Sequence, residues 1–297
     1  MHALDYFIVD VFTSTALEGN PLAVVMDSAG LSTERMQAVA REFNLSETTF
    51  VQRRSGTVES AEGVRVRIFT TQEELPFAGH PTLGTASVLK LQAPETAREN
   101  GVTLALNVGP IPVRFDEGLF GEMTQRDPEF SAELEPEQVA RLTGLTLEDL
   151  DPTVLPQVVS TGTAFAIVAL RSSEALARLK VRQGEATEWL RTRGARWFYV
   201  LAPSPDEGKQ GTKCYWARMQ FNGGEDPATG SAAGCAISLL VARGAVASGE
   251  RILVRQGIEI HRPSELFLSA RRSSNTVTDV RVAGSTVLVA KGQLFLP

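Results

Sequence analysis

The chain has 297 residues, of which 43% are hydrophobic and 22% charged, as is usual for a globular protein. Its formal net charge of -6 argues against partners that need a basic surface, so neither nucleic acid nor a membrane is expected as a partner. The N-terminus lacks the pattern of a signal peptide and no apolar run approaches the roughly 18 residues of a membrane span, which favours a cytoplasmic location.

The first third of the chain is predicted to form mostly strands. Runs with alternating or β-branched residues predict strands over residues 6–13, 21–26, 48–53, 64–70 and 102–106. Residues 31–43 instead carry apolar side chains at helical spacing, with Ser32 placed to cap the first turn. This segment is predicted to be an amphipathic helix that lies on a sheet.

Two later segments predict helices that are enclosed by other structure. Residues 81–91 contain a single charge, Lys90, and residues 232–242 contain none. A helix that is apolar on nearly every face has to be covered on nearly every face. We therefore expect each of these helices to lie inside a sheet.

An internal repeat links the segments that precede these two helices. A shift of 151 residues lays Arg67 on Arg218, Glu74 on Glu225, Pro76 on Pro227 and Gly79 on Gly230. Upstream, residues 19–25 resemble residues 162–168 at a shift of 143. The repeat favours a duplicated architecture, and the Pro- and acid-rich residues 116–137 are the expected crossing between its halves.

The predicted fold class is therefore α+β, with two pseudo-symmetric halves that each wrap a curved, mainly antiparallel sheet around one apolar helix. The N-terminal half is expected over residues 1–118, completed by a final strand at about residues 288–297. The C-terminal half is expected over residues 119–287.

Each enclosed helix begins with glycine beside a polar residue, at Gly79-His80 and at Gly230-Ser231. Helix starts present unpaired N–H groups and a partial positive charge, which suit a carboxylate. Because proline is favoured at the first helical position, Pro81 predicts that His80 is the cap residue. The positive helix end disfavours the imidazolium, so the ring is expected to be neutral and able to relay a proton; a purely structural cap is the alternative.

Two carboxylates are further candidates for chemistry. Asp226 precedes proline and lies close to Thr229 and Ser231, so it suits an acid, a base or a partner that orients His80. The alternative makes Asp226 a turn residue and Ser231 an ordinary helix cap. Glu47 lies between the amphipathic helix and the following strand, where it is either a solvated side chain or an acid–base group.

Several other classes of enzyme leave no trace in the sequence. It contains no GxGxxG fingerprint, no P-loop and no Gly-x-Ser-x-Gly elbow, which disfavours nicotinamide, nucleotide and hydrolase functions. The three histidines do not cluster, and Cys214 and Cys235 lack the spacing of a zinc site. No metal and no cofactor are expected, and both cysteines are expected to be buried.

Four motifs together resemble the PhzF family of isomerases, which has a diaminopimelate epimerase-like fold. They are DVFT with GNPLAVV near the start, NLSETTF at 44–50, ELPFAGHPTLG at 74–84 and EDPATGSA at 225–232. The resemblance implies an isomerase that needs no cofactor and moves a proton on a small carboxylate substrate of the dihydro-hydroxyanthranilate type. It also implies a homodimer.

The resemblance assigns roles to residues in these motifs. Glu47 matches the acid–base glutamate of the family, and the catalytic set is completed by His80, Asp226 and Ser231. Substrate binding is implied for Asn20, Gly79, Thr229 and Gly230, with the glycine amides receiving a carboxylate.

Two other functions stay open at this point. Related epimerases use two opposed cysteines, and neither Cys214 nor Cys235 falls at a matching motif position, which disfavours racemisation by two thiols. An amino-acid epimerase or racemase of another kind, or a binding protein without turnover, is compatible with the same fold.

Overall fold

A computed structural model of the chain describes residues 2–99, 101–206, 211–274 and 276–296. The chain forms two compact units: unit 1 comprises Met1–Thr124 with Ala283–Pro297, and unit 2 comprises Gln125–Val282. The expected boundary at residue 118 falls inside a turn, because the strand that follows it pairs with the strand before it, Val113 lying opposite Met123. The returning segment begins at Ala283 instead of at residue 288.

Unit 1 contains strands at the places where the sequence predicts them. Its strands are β1 (His2–Val11), β2 (Asn20–Val25), β3 (Glu47–Gln52), β4 (Val64–Phe69), β5 (Glu74–Leu75), β6 (Gly101–Leu106), β7 (Gly109–Phe115), β8 (Gly121–Thr124) and β19 (Thr286–Leu296). Its helices are α1 (Thr33–Phe43), α2 (Gly56–Glu62) and α3 (Gly79–Gln92). The amphipathic helix is confirmed as α1, and the side chain of Ser32 caps it by accepting a hydrogen bond from the Arg35 amide.

Unit 2 combines strands with helices in a similar way. Its strands are β9 (Glu129–Glu133), β10 (Gln157–Ser160), β11 (Ala164–Ala169), β12 (Phe198–Pro203), β13 (Cys214–Arg218), β14 (Gln220–Phe221), β15 (Gly224–Glu225), β16 (Ile252–Gln256), β17 (Ser264–Ser273) and β18 (Thr276–Gly284), which starts in this unit. Its helices are α4 (Pro136–Thr143), α5 (Ser173–Ala177), α6 (Gln183–Arg191) and α7 (Gly230–Ala242). The chain passes from unit 1 to unit 2 between Thr124 and Gln125, inside the expected crossing segment of residues 116–137, which also contains β8 and β9.

The strands of the two units pair in the same sequence of directions. In unit 1 the pairs β1–β2, β3–β4 and β6–β7 are antiparallel, whereas β2–β3 and β4–β6 are parallel. In unit 2 the pairs β10–β11, β12–β13 and β16–β17 are antiparallel, whereas β11–β12 and β13–β16 are parallel. The repeat found in the sequence is thus a repeat of architecture, and the predicted fold class of two pseudo-symmetric halves is confirmed.

An arginine–glutamate pair occupies the same place in both units. Arg67 on β4 donates from Nε to Glu74 at 2.8 Å, and Arg218 on β13 donates from Nε to Glu225 at 2.9 Å. A second hydrogen bond from the guanidinium makes each pair bidentate. These are the residues that the shift of 151 superimposes, so the repeat preserves the connection between the strand and the lead-in to the enclosed helix.

The two predicted enclosed helices are α3 and α7, and both are covered on all sides over most of their length. Every residue from Gly79 to Leu89 is buried, as is every residue from Gly230 to Val241. At Gly84 of α3 an added Cβ atom would lie 2.7 Å from the Leu22 side chain, so glycine permits close approach of the strand. None of the described helices is both long and apolar enough to cross a membrane.

The Arg218–Glu225 pair is expected to matter for stability, because its side chains are only 10% and 7% exposed. Glu225→Gln should remove the nearer of the two carboxylates that pair with the buried guanidinium, leaving only Glu259 at 3.8 Å, and lower the free energy of unfolding by about 3 kcal/mol. Urea denaturation measures this change. Glu185→Gln is the control, since Glu185 pairs with Arg141 on the surface and should change stability by less than about 1 kcal/mol. Equal effects of the two substitutions would contradict this account.

Candidate active site

Glu47 is the first residue of β3, and the strand directs its side chain toward α3. Side chains alternate between the faces of a strand, so Glu47 shares a face with Thr49. The Thr49 hydroxyl lies 2.8 Å from the Thr85 hydroxyl of α3. Phe50, on the opposite face, packs with Phe69 in an apolar cluster against α1. The alternation therefore delivers a carboxyl group to the side of the sheet that holds the enclosed helix.

Glu47 meets His80 in the first turn of α3. Its Oε2 atom lies 3.4 Å from His80 Nε2, and the two side chains are 15% and 5% exposed. Burial lowers the pKa of His80 to about 3, so the imidazole is neutral near pH 7 and the contact is not an ion pair. The neutral ring agrees with the expectation from sequence, and its burial is the cause.

His80 is not the cap residue of α3, and that expectation was wrong. The helix begins at Gly79, and the preceding Ala78 occupies the cap position in an extended conformation. Pro81 is therefore the third helical residue, which is permitted because the first N–H groups of a helix have no intrahelical acceptor. The imidazole thus projects from the first turn, where it contacts Glu47.

Asn20 and Gly79, the substrate-binding candidates of unit 1, are both buried. Asn20 begins β2 opposite Val11 of β1, two residues before Leu22, the strand partner of Glu47. Asn20 therefore lies on the α3 side of the sheet near the start of β3. The preceding Gly19 has φ +68°, and a Cβ atom there would lie 2.4 Å from the Val11 carbonyl oxygen, so the turn into Asn20 requires glycine.

In unit 2 a hydrogen-bonded turn precedes α7 and holds Asp226. The Asp226 Oδ2 atom accepts a hydrogen bond of 2.6 Å from the Thr229 hydroxyl. The buried Gln256 side chain accepts from the Thr229 amide at 3.1 Å and donates to the Asp226 carbonyl at 2.8 Å. Sequence reasoning missed Gln256, because a single glutamine at the end of an apolar strand carries no signal of what it contacts.

Gly230 and Ser231 are the first two residues of α7, and both are buried. Thr229 occupies the cap position, but its side chain does not cap the helix, since the hydroxyl donates to Asp226. Ser231 is consequently not the helix cap that the alternative interpretation made it. The structure brings Asp226, Thr229, Gly230 and Ser231 together within unit 2.

The repeat makes the chemical differences between the units explicit. The shift of 151 residues lays Ser231 on His80, so the two candidates occupy equivalent positions in their helices. The counterpart of Glu47 follows from strand register. Ala23 and Ala166 are equivalent in the repeat; Ala23 pairs with Thr48, and Ala166 pairs with Phe198. The residue before Thr48 is Glu47 and the residue before Phe198 is Trp197, so these two correspond. The acid–base candidate is thus a feature of unit 1 alone.

Tyr199 is a second residue that the sequence did not single out. Its neighbours Phe198 and Val200 belong to the apolar cluster on one face of unit 2, so Tyr199 points to the other face, toward α7. Its hydroxyl is buried and has no hydrogen-bond partner among the described residues. Burial raises the pKa of Tyr199, and the nearby Asp226 and Cys235 raise it further, so the phenol stays neutral.

Both cysteines are buried, as expected, and both lie in unit 2. Cys235 lies on α7, where its thiol is 3.6 Å from the Thr161 hydroxyl. Within the described ranges no group of three or more His, Cys, Asp or Glu side chains is arranged to hold a metal ion.

Comparisons with known proteins assign this architecture to a family. The family model for phenazine biosynthesis-like proteins, PhzC-PhzF, matches residues 9–292. The chain belongs to this family. An uncharacterized isomerase of Mesorhizobium japonicum is 34% identical over the whole of both chains. The trans-2,3-dihydro-3-hydroxyanthranilate isomerase of Pseudomonas aeruginosa is 33% identical, over 98% of this chain and 99% of its own.

The fold is that of the PhzF proteins as well. The crystal structure of a PhzF-family phenazine biosynthesis protein from Bacillus anthracis has a TM-score of 0.84 over the whole of both chains, at 24% sequence identity. The resemblance stated from four motifs is therefore confirmed. With curated relatives named as isomerases across nearly its whole length, this PhzF-family chain is an isomerase.

The lowered pKa of His80 predicts a pH dependence of stability. The folded protein holds His80 neutral, while the unfolded chain protonates it near pH 6.5, so stability is complete above pH 6.5 and decreases as the pH falls toward 3. In His80→Gln, the decrease in the free energy of unfolding between pH 6.5 and pH 5 should be smaller than in the wild type by about 2 kcal/mol. Urea denaturation across this range measures it, with the exposed His261→Gln as control. A wild-type slope in the His80 variant would contradict the burial of a neutral ring.

Tyr199 predicts a substitution that stabilises the protein. Tyr199→Phe removes a buried hydroxyl that has no partner among the described residues and retains the ring, so the free energy of unfolding should rise by about 1 kcal/mol. Thermal and urea denaturation of the variant measure the change. Tyr215→Phe, at a half-buried position, should alter stability little. A Tyr199 variant that is less stable than the wild type would show that the hydroxyl is hydrogen-bonded in solution.

Proposed function

We propose that this isomerase moves a proton on a small carboxylate-bearing metabolite of the trans-2,3-dihydro-3-hydroxyanthranilate type, by acid–base chemistry and without a cofactor. The observation that carries the proposal is the contact of 3.4 Å between the Glu47 carboxyl and the neutral His80 ring in a setting nearly closed to water. The class of substrate comes from the activity named for the relative in Pseudomonas aeruginosa.

The proposed reaction breaks one C–H bond and makes another. Glu47 removes a proton from a carbon beside an unsaturated or carboxyl-activated centre, and the electron pair of that bond moves the double bond along the substrate. The protonated Glu47 then returns the proton to a different carbon on the same face. No electrons are gained or lost, so the step requires no oxidant or reductant. An acid–base group placed in this way contributes roughly 10²–10⁴-fold in rate.

The other candidates have supporting roles in this proposal. Neutral His80 has one ring nitrogen that donates and one that accepts, so it can pass a proton to or from Glu47. Asp226, held by Thr229, supplies a second carboxyl that helps to set the protonation state of the intermediate. Ser231 supplies a hydroxyl in the first turn of α7.

The start of α3 and the start of α7 are each proposed as a binding group for a carboxylate. Neither helix has a side-chain hydrogen bond from its cap residue, since Ala78 cannot form one and the Thr229 hydroxyl is directed to Asp226. First-turn amides that no cap side chain occupies are suited to an anion. Gly79 and Gly230 permit close approach, and Asn20 offers a polar side chain near Glu47. The homodimer implied by the family resemblance remains a prediction.

Racemisation by two thiols is disfavoured by where the cysteines lie. Such a mechanism requires one thiol from each half, and residues 1–124 and 283–297 contain no cysteine. Burial raises the pKa of Cys235 to about 11 and also raises the pKa of Cys214. Both groups are therefore protonated thiols near pH 7 and not the thiolates that the chemistry needs.

The proposal is tested by solvent deuterium. The wild-type protein, incubated in D₂O with trans-2,3-dihydro-3-hydroxyanthranilate, should isomerise it and incorporate deuterium at carbon, as followed by NMR and mass spectrometry. Glu47→Gln should fold and bind but lose turnover by about 10³-fold, because the amide cannot accept the proton. Glu42→Gln, an exposed glutamate of α1, serves as the matched control and should retain activity.

Three results would count against the proposal, each in a different way. Full activity of Glu47→Gln would remove this residue from the mechanism. Binding without any exchange of carbon-bound hydrogen, across a panel of dihydroaromatic and amino-acid carboxylates, would identify a binding protein. Inversion at Cα without migration of a double bond, detected by chiral chromatography, would identify an epimerase.

A further inference from the structure

Gln125, the first residue of unit 2, lies against the first turn of α7. Its side chain is buried, with the residue only 4% exposed. The backbone amide donates a hydrogen bond of 2.9 Å to the Val280 carbonyl, which anchors the residue to β18. No motif in the sequence pointed to this glutamine.

Both ends of the Gln125 amide are used. The Thr161 hydroxyl donates to Oε1 at 2.6 Å, and Nε2 donates to the carbonyl oxygen of Gly230 at 2.9 Å. Because Thr161 donates to the oxygen end, the nitrogen end is the one that donates to the Gly230 carbonyl. The first carbonyl of the helix is therefore held by a residue that is itself held at two points, its backbone amide and its side-chain oxygen.

α7 is built to admit this side chain. A Cβ atom at Gly234 would lie 1.9 Å from Gln125 Oε1, so glycine is the residue that leaves room for the amide. The repeat lays Gly234 on Leu83 of α3, where a large side chain fills the space instead. In unit 1 the glycine is on the strand and not on the helix: Gly121 packs against Leu83, and a Cβ atom at Gly121 would lie 2.6 Å from Leu83 Cδ1. The contact between Gln125 and α7 is thus particular to unit 2.

We propose that Gln125 is a positioning residue for the carboxylate-binding start of α7. The carbonyl of Gly230 and the amide N–H of Ser231 belong to one planar peptide group and point in opposite directions. By holding the Gly230 oxygen, Gln125 fixes the direction of the Ser231 N–H and holds the first turn of α7 in the orientation that receives the anion. This inference rests on the proposed function, in which the start of α7 binds the substrate carboxylate.

Two ligands that differ only in the carboxylate test the inference. The affinities of the wild-type protein for 3-hydroxyanthranilate and for 2-aminophenol, measured by calorimetry, give the contribution of the carboxylate. Gln125→Met keeps the size of the side chain but cannot donate to Gly230. The variant should bind 3-hydroxyanthranilate about tenfold more weakly, whereas its affinity for 2-aminophenol should change little. A role in packing alone would weaken both ligands equally, which would overturn the proposal.

A second pair of variants addresses the same point without a buried methionine. Gly234→Ala should displace the Gln125 amide. It should lower the affinity for 3-hydroxyanthranilate about as much as Gln125→Met does, and leave the affinity for 2-aminophenol nearly unchanged. In Gln125→Ala/Gly234→Ala the clashing side chain is gone, so the double variant should bind no worse than Gln125→Ala alone. Additive losses would mean that the two residues act independently, against the proposal.

The outcome for the wild type separates this inference from the proposed function. If the wild type binds both ligands equally, the carboxylate site at α7 is wrong and the role of Gln125 is lost with it. If the wild type prefers 3-hydroxyanthranilate and Gln125→Met keeps that preference, the carboxylate site stands and the role of Gln125 is wrong.

Discussion

The structure depends on one constraint, which is that α3 and α7 have no polar face. Contact between an apolar helix and water is unfavourable for folding, and each unit avoids it by surrounding its helix with strands. The same enclosure covers the polar groups in the first turn of each helix. His80 is neutral for this reason, and the contacts of Asp226 and Gln125 form out of reach of bulk water. The helix that stabilises each unit therefore also sets the electrostatics of its candidate site.

The duplication preserved the scaffold and let the chemistry diverge. The order of strand directions and the arginine–glutamate pair recur in both units. The polar side chains around the starts of the enclosed helices do not recur. Ser231 occupies in α7 the position that His80 has in α3, and the counterpart of Glu47 is Trp197. Unit 1 thus supplies a carboxyl–imidazole contact, whereas unit 2 supplies a network of hydrogen bonds around Asp226, Thr229 and Gln256. Duplication alone does not predict which half carries the base.

The polar groups of unit 2 differ in how completely they are satisfied. Gln125 and Gln256 use both ends of their amides, which makes each a rigid brace. Tyr199 has a buried hydroxyl without a partner among the described residues, which is unfavourable for folding.

The sequence by itself determined the fold class, the two enclosed helices, the repeat and the family. These follow from local patterns, because strand alternation, the absence of charge and motif order are all visible along the chain. The start of α3 was placed wrongly: Pro81 suggested a cap at His80, but the helix starts at Gly79. Only the tertiary structure decided that Glu47 touches His80, and that Gln125 and Gln256 brace the start of α7. Those contacts join residues distant in sequence, and a single polar residue in an apolar segment looks the same whether it meets a partner or solvent.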